Sequence, residues 1–176
     1  MAFSVALHGA VSARIKLLES RATETNARLS KFNQNLASGY YERAGSNTLT
    51  HWLWGLEDLI TQQIDTERKL QVENVDCDEV AIARTKLLTA LHVLWECVYD
   101  FNATVHLESD VEMAENAEFE ARATAAESAA AEKLPNRIDE TGKAIDDLRR
   151  AYEHELNELR LKRQLLDTTL IVSNPI

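Results

Sequence analysis

The sequence predicts an all-α fold, an elongated antiparallel helical bundle or coiled coil of about four long helices. Apolar residues recur over long stretches at alternating intervals of four and three, which keeps them on one side of a helix. Only five glycines and two prolines interrupt the 176 residues. Residues that favour helices, such as Ala, Leu, Glu and Arg, are abundant, and the alternating patterns of strands are absent.

The first helix is predicted over residues 3–37. Its apolar residues form a narrow stripe, which is typical of a helix that packs lengthwise against another helix. Gly39 suits the left-handed cap position at which many helices end, so we expect the helix to stop there. The stripe consists of Val11, Ile15, Leu18, Ala22, Thr25, Leu29, Phe32 and Leu36.

The second helix is predicted over residues 47–72. Ser46 or Asn47 can cap its first turn, because a side-chain oxygen there accepts a hydrogen bond from a free backbone N–H. The apolar face of this helix is wide. It comprises Leu49, Trp52, Leu53, Leu56, Leu59, Ile60, Ile64 and Leu70.

The third helix is predicted over residues 77–133, with a possible break near residue 109. Asp76 and Glu79 have the spacing of a capping box at its start. Because neither Gly nor Pro intervenes, we favour a continuous or mildly kinked helix. The Ala-rich acidic segment 110–133 fits either a closely packed helix pair or a solvated extension. The stripe is Val80, Leu87, Leu91, Leu94, Val98, Phe101 and Val105, with Arg84 in one of its positions.

The fourth helix is predicted over residues 135–170. Pro135 suits the first turn of a helix, where its missing N–H has no intrahelical acceptor. Together the helices are expected to form one domain over residues 1–176, a normal domain length. The apolar residues of this helix are Ile138, Ile145, Tyr152, Leu159 and Leu166 at intervals of seven, joined by Leu148, Leu156 and Leu170.

The charge of −10 is unevenly distributed along the chain. Residues 1–46 carry six cations and three anions, a net +3, whereas residues 47–134 carry six and 18, a net −12. Nucleic-acid binding is not expected, because it needs clustered cations. The acidic middle of the chain supports an alternative function, a helical inhibitor or effector that binds a basic surface of a partner protein.

No segment approaches the roughly 20 apolar residues that a membrane-spanning helix needs. The first residues lack the basic start and unbroken apolar core of a signal peptide. Cys77 and Cys97 lie on one predicted helix, too far apart for a disulfide. We therefore expect a cytoplasmic protein with reduced thiols, although export by a non-classical route or incorporation in a virion stays open.

The sequence assigns no catalytic residue, cofactor or metal. A di-metal helical bundle uses Glu-x-x-His pairs, and His51, His92, His106 and His154 have no acidic residue three positions earlier. His92 and Glu96 are one helical turn apart and could form one edge of a metal site. A second alternative, a helical metal-binding protein or enzyme, depends on this pair.

Aromatic residues are the remaining candidates for function. Side chains at Trp52 and Trp54 point about 200° apart on a helix, so only one can lie on the buried stripe. With Trp95 and Tyr99 they form a candidate interface, although a wide core would also explain them. We interpret the chain as a non-enzymatic structural or adaptor protein that forms a homo-oligomer and binds a protein partner.

Overall fold

The computed structural model describes residues 2–44, 48–73, 76–109 and 117–172. These residues form four helices, α1 (Ala2–Arg43), α2 (Thr48–Val72), α3 (Asp78–Ser109) and α4 (Ala117–Val172), and contain no strand. The predicted all-α bundle is therefore confirmed. No helix within the described ranges is both long and apolar enough to cross a membrane.

Each helix packs antiparallel to the next, as the contacts between their residues show, and α4 returns to pack against α1. Polar contacts show the direction of the last pair. Near the start of α1, His8 Nε2 lies 2.7 Å from Asp167 Oδ1, whereas near its end Tyr40 contacts Ala131. The two helices therefore run in opposite directions over almost the whole length of α1.

The predicted apolar stripes form one continuous core. Every residue of the α1 stripe is buried, as are Val80, Leu87, Leu91, Leu94, Val98 and Phe101 of α3. The side chain of Val105 lies outside the described residues. On α4, burial is strongest in the middle of the stripe, at Leu148 and Tyr152, and Leu159 and Leu166 are only partly covered. The core thus lies mainly where all four helices run side by side.

The prediction that Gly39 ends the first helix is wrong, because α1 continues through it to Arg43. Gly39 instead gives space to the indole of Trp52 on α2. A Cβ atom at this position would lie 2.6 Å from Trp52 Nε1 and 2.8 Å from Cε2. The glycine is therefore required by a close approach of two helices, and not by a left-handed turn.

The favoured continuous helix over residues 77–133 is also wrong, and the alternative of a break near residue 109 agrees with the structure. The third helix ends at Ser109, and residues 126–133 of α4 pack antiparallel against Cys97 and Phe101 of α3. Ala126 and Ala130 cover this part of the core, while Ala121 and Ala125 are exposed. Burial of the α3 face thus outweighs the favourable local propensity for one long rod. Residues 110–116, and the predicted caps Ser46 and Asn47, lie outside the described residues.

Pro135 does not begin the fourth helix but lies inside α4. A proline inside a helix leaves the carbonyl four residues earlier without its usual N–H donor. That carbonyl belongs to Ala131, and the hydroxyl of Tyr40 donates to it at 3.3 Å. Burial raises the pKa of Tyr40, with a smaller contribution from Tyr41, so the hydroxyl keeps its proton. A side chain of α1 therefore compensates for the missing donor in α4.

The four-helix part of the molecule, called the body below, does not extend over the full length of α1 and α4. Glu73, just after α2, contacts Arg21, and Glu79 at the start of α3 contacts His154. Residues 3–17 of α1 and 158–171 of α4 continue beyond these points. We call these two segments the arm. The contact between His8 and Asp167 joins them, and Arg160 of the arm also pairs with Glu19 of the body at 2.8 Å.

We predict that Gly39→Ala destabilises the protein by about 1–3 kcal/mol, because the new methyl group collides with the ring of Trp52. Gly55 is the matched control, since it is a helical glycine at which an added Cβ atom would meet nothing within 4 Å. Gly55→Ala should stabilise by about 0.5–1 kcal/mol, because alanine has the higher helix propensity. Urea denaturation measures both, and equal effects at the two sites would contradict the packing explanation.

Candidate functional site

A network of polar side chains crosses the interior of the body. At its centre is Arg84 of α3, whose side chain is fully buried. Its guanidinium donates to the carboxylate of Glu67, from Nε to Asp76 Oδ2 at 2.9 Å, and from Nη2 to Tyr152 Oη at 2.7 Å. The three acceptors come from α2, from the connection before α3, and from α4.

Glu67 extends the network to the first helix. Its Oε1 accepts hydrogen bonds from Arg28 of α1 and from Gln63 Nε2, the latter at 2.9 Å. The Glu67 side chain is fully buried, whereas that of Arg28 is 30% exposed. Residues from all four helices therefore meet in one set of hydrogen bonds. Two arginines face two carboxylates, so the formal charges of the network cancel.

The surroundings of Arg84 determine the protonation of the network. Burial alone would lower the pKa of its guanidinium, but Tyr152, Glu67 and Asp76 outweigh burial, and the pKa is raised. Burial also raises the pKa of Tyr152, although Arg84 opposes that shift. Arg84 is thus a permanent cation and Tyr152 a neutral phenol. The charged groups of the network are paired with one another, which suits a structural role better than proton transfer.

In the sequence, some members of this network are recognisable only as polar residues within apolar patterns. Arg84 occupies a position of an otherwise apolar stripe, and Tyr152 belongs to the apolar repeat of α4. Asp76 and Glu79 have the spacing of a capping box, but their carboxylates contact Arg84 and His154 instead. Sequence reasoning did not connect these residues, because their partners lie on other helices.

A polar groove of about 530 Å³ lies outside the network, between α1 and α4. Thr23 and Asn26 of α1 and Asn157 of α4 line it, and the ion pair between Arg160 and Glu19 lies at one side. Tyr152 also lines the groove but is only 1% exposed. The groove is therefore separated from Arg84 by the ring of this tyrosine.

The four aromatic residues predicted as an interface divide into two groups. Trp52 is half-buried, lies against Gly39 and has its ring centroid 6.4 Å from that of Tyr40. Trp54 is 36% exposed and contacts His51. The expectation that Trp52 and Trp54 cannot share one buried stripe is met by this geometry. Trp52 belongs to the contact between α1 and α2.

The other aromatic pair lies on α3. Trp95 stacks on Tyr99 with ring centroids 4.8 Å apart and an interplanar angle of 16°. Trp95 is partly buried against the core, and Tyr99 is 45% exposed. We call Trp54, Trp95 and Tyr99 the aromatic edge. It is a set of partly exposed rings held in place by neighbouring side chains, and its use as an interface stays a prediction.

The histidine considered as a metal ligand has a cation as its neighbour. Arg68 Nη2 lies 2.9 Å from His92 Nε2, so this ring nitrogen accepts a hydrogen bond from the guanidinium. A metal ion at the same nitrogen would have to displace the arginine and face its charge. Among residues 2–44, 48–73, 76–109 and 117–172, no three His, Cys, Asp or Glu side chains are grouped as a metal site requires.

Both cysteines are free and partly buried. Burial raises the pKa of Cys77, and the nearby carboxylate of Glu155 raises it further against two opposing backbone hydrogen bonds. Burial also raises the pKa of Cys97, although Lys133 and Arg137 act against it. Because the thiolate is the reactive form, neither position favours nucleophilic chemistry near neutral pH.

We predict that Arg84→Met destabilises the protein by about 3–5 kcal/mol, because it leaves Glu67 and Asp76 buried without their central cation. The double variant Arg84→Met, Glu67→Met should be destabilised by about 1–3 kcal/mol less than the sum of the two single variants. Arg150→Met is the control, since Arg150 forms an exposed pair with Asp147 and should change stability by less than about 1 kcal/mol. Urea denaturation of all four variants beside the wild type checks the prediction.

Stability should decrease in alkaline solution. Folding raises the pKa of Tyr152 above 10.0 and the pKa values of Cys77 and Cys97 above 9.0. The stability due to these protonated groups is fully present below their unfolded pKa values. It is lost as pH rises through the folded values, because the unfolded chain releases these protons first. Tyr152→Phe should therefore lose less stability than the wild type between pH 9 and pH 11 in denaturation experiments with reductant.

Comparisons with known proteins assign no family to the chain. The sequence matches no family model, and no curated protein and no solved structure is significantly similar to it. The function is therefore inferred from the positions and contacts of its own residues.

Proposed function

We propose that this chain is a non-enzymatic structural or adaptor protein that acts through helix–helix self-association and the binding of a partner protein. The observation that carries this proposal is the distribution of its side chains. Charged groups inside the body are paired with one another, whereas several large apolar side chains are exposed on the outer faces of the helices. Exposed apolar surface of this kind favours contact with another protein.

The aromatic edge supports the partner-binding part of the proposal. Trp54 and Tyr99 are 36% and 45% exposed, and each ring is already oriented by a neighbouring aromatic side chain. Tryptophan and tyrosine are enriched among the residues that contribute most to binding energy. Rings with restricted motion also lose less conformational entropy on binding. We therefore propose Trp54, Trp95 and Tyr99 as the surface that contacts a partner.

The alternative of an acidic inhibitor ranks second. Several carboxylates of the acidic middle are bound within the molecule, namely Glu67 and Asp76 by Arg84, Glu73 by Arg21, and Glu79 by His154. These groups are less available to an external basic surface. An exposed acidic surface would also bind in a strongly salt-dependent manner, whereas apolar and aromatic contacts would not.

The alternative of a helical metal protein or enzyme ranks third. Its candidate ligand His92 is bound by Arg68, and the thiols have raised pKa values. Free thiols fit a reducing compartment such as the cytoplasm, where we place the protein in this proposal.

Size-exclusion chromatography with light scattering tests self-association. At micromolar concentration we expect a mass that is a multiple of the 19.8 kDa chain. A compact monomer of 19.8 kDa would contradict that part of the proposal.

Crosslinking with mass spectrometry in the native source tests the binding of a partner protein. We expect crosslinks to a protein partner, and their loss in a Trp54→Ala, Tyr99→Ala variant. A matched variant, Tyr41→Ala, removes a ring that is 71% exposed at the end of α1 and should keep the crosslinks. If a high salt concentration abolishes the complex but the Trp54→Ala, Tyr99→Ala variant still forms it, the acidic-surface alternative replaces this proposal.

A further inference from the structure

In the body, α2 covers one side of α1 and α3 covers one side of α4. The same two sides continue into the arm. On α1, the side that faces α2 carries Arg28 and Arg21, which contact Glu67 and Glu73. Counting back from Arg21 in steps of four and three residues gives the continuation of the same side. That continuation consists of Leu17, Arg14, Ala10, Leu7 and Phe3. α2 ends at Val72, so this side of the arm has no described helix in the position that α2 occupies in the body.

The fourth helix repeats this pattern on the side that faces α3. In the body, Asp147 borders the groove between α3 and α4, and His154 contacts Glu79. Helical steps of four, three and four from His154 reach Glu158, Leu161 and Leu165. α3 begins only at Asp78, so Leu161 and Leu165 lie beyond it.

The exposure of these residues is unusual for their type. Phe3 is 83% exposed, Leu165 70%, Leu161 56% and Leu17 43%. They contrast with Val11 and Ile15, which are buried in the same arm between α1 and α4. The arm therefore has one apolar surface that is used within the molecule and a second that continues the covered faces of the body.

We propose that a second copy of this chain covers that surface, with the two arms packed antiparallel about a two-fold axis. Two helices are missing from each arm relative to the body, and a second arm supplies two helices. Packed together, the two arms would form a four-helix segment between the two bodies, with the same packing as in the body. This inference rests on the proposed self-association and names its interface.

The spacing of the residues supports a two-fold arrangement. Phe3 and Leu17 lie seven residues on either side of Ala10 on the uncovered side of α1. If Ala10 is near the axis, Leu17 of one copy faces Phe3 of the other, and the small side chain of Ala10 permits close approach. Leu165 lies near the middle of the α4 segment, so the axis also passes near it.

The charge distribution selects the antiparallel direction. All five lysines and arginines of the arm lie in the half nearest the body, namely Arg14, Lys16, Arg160, Lys162 and Arg163. In a parallel pair these cations would lie side by side. In an antiparallel pair with its axis near Ala10 and Leu165, Arg14, Lys16 and Arg160 lie about 12–18 Å along the helices from their symmetry mates, beyond the Debye length of about 10 Å. Lys162 and Arg163 stay closer to the axis, at about 6–9 Å.

The area of the arm predicts a dimer of modest affinity. Fifteen residues of helix are about 22 Å long, and two packed helices are about 20 Å wide. The two arms together would bury roughly 900 Å², slightly below the roughly 1,000 Å² that stable specific interfaces exceed, which is the size range of weak complexes. The side chains on this surface are mostly apolar, as the centre of such an interface requires.

The mass of Leu165→Glu tests this inference. Near a two-fold axis the substitution brings two glutamates together in an apolar contact, so we expect the wild type at twice 19.8 kDa and the variant at 19.8 kDa. Ile82→Glu is the matched control, because Ile82 is an aliphatic residue of the body that is 58% exposed. It should keep the mass of the wild type, and circular dichroism should show equal helix content in all three proteins.

The outcomes separate the two proposals. If the wild type is an oligomer and Leu165→Glu keeps the same mass, the arm is not the interface, but self-association stands. If the wild type is a monomer, both the paired arms and the self-association proposal fail, and a different protein becomes the occupant of the arm.

Disulfide trapping tests the position of the axis. In a chain with Cys77→Ser and Cys97→Ser, oxidation of Ala10→Cys should give a covalent dimer, because disulfides require Cα atoms within about 7 Å. Ala27→Cys provides an exposed site on the body part of α1 and should remain monomeric in a denaturing gel. A dimer trapped equally well through position 27 would overturn the antiparallel arrangement.

Discussion

The buried guanidinium of Arg84 is the constraint on which the alignment of this bundle depends. Apolar stripes attract one another with little regard to register, because a shift by one heptad still pairs leucine with leucine. Arg84 tolerates no such shift, since Glu67, Asp76 and Tyr152 must reach it together. We infer that the apolar core supplies most of the stability, and that the network selects one alignment of the four helices.

The apolar stripes could be predicted from the sequence because they depend only on helical periodicity. The ends of the helices could not, because they depend on contacts between helices. Gly39 has the local properties of a helix end, but the ring of Trp52 requires a glycine inside a helix. Pro135 has the local properties of a helix start, but the hydroxyl of Tyr40 binds the carbonyl that it leaves free. In both cases a residue on another helix decides the outcome.

In the candidate site, too, the features that follow from helical periodicity could be predicted, and those that depend on contacts between helices could not. The opposite directions of Trp52 and Trp54 follow from helix geometry, and the structure separates these rings accordingly. The ion-pair network was not predicted, although Arg84 stands out in its apolar stripe. Identifying its partners requires knowledge of which helix faces meet, and one sequence alone does not contain that information.

The continuity of α4 has a mechanical consequence. No glycine or proline occurs from residue 143 to residue 172, so the same uninterrupted helix contributes Tyr152 to the body and Leu165 to the arm. A helix of this kind bends only gently and has no hinge. The arm is therefore held at a set distance and angle from the network, and a force applied to its tip would reach the body through this one helix.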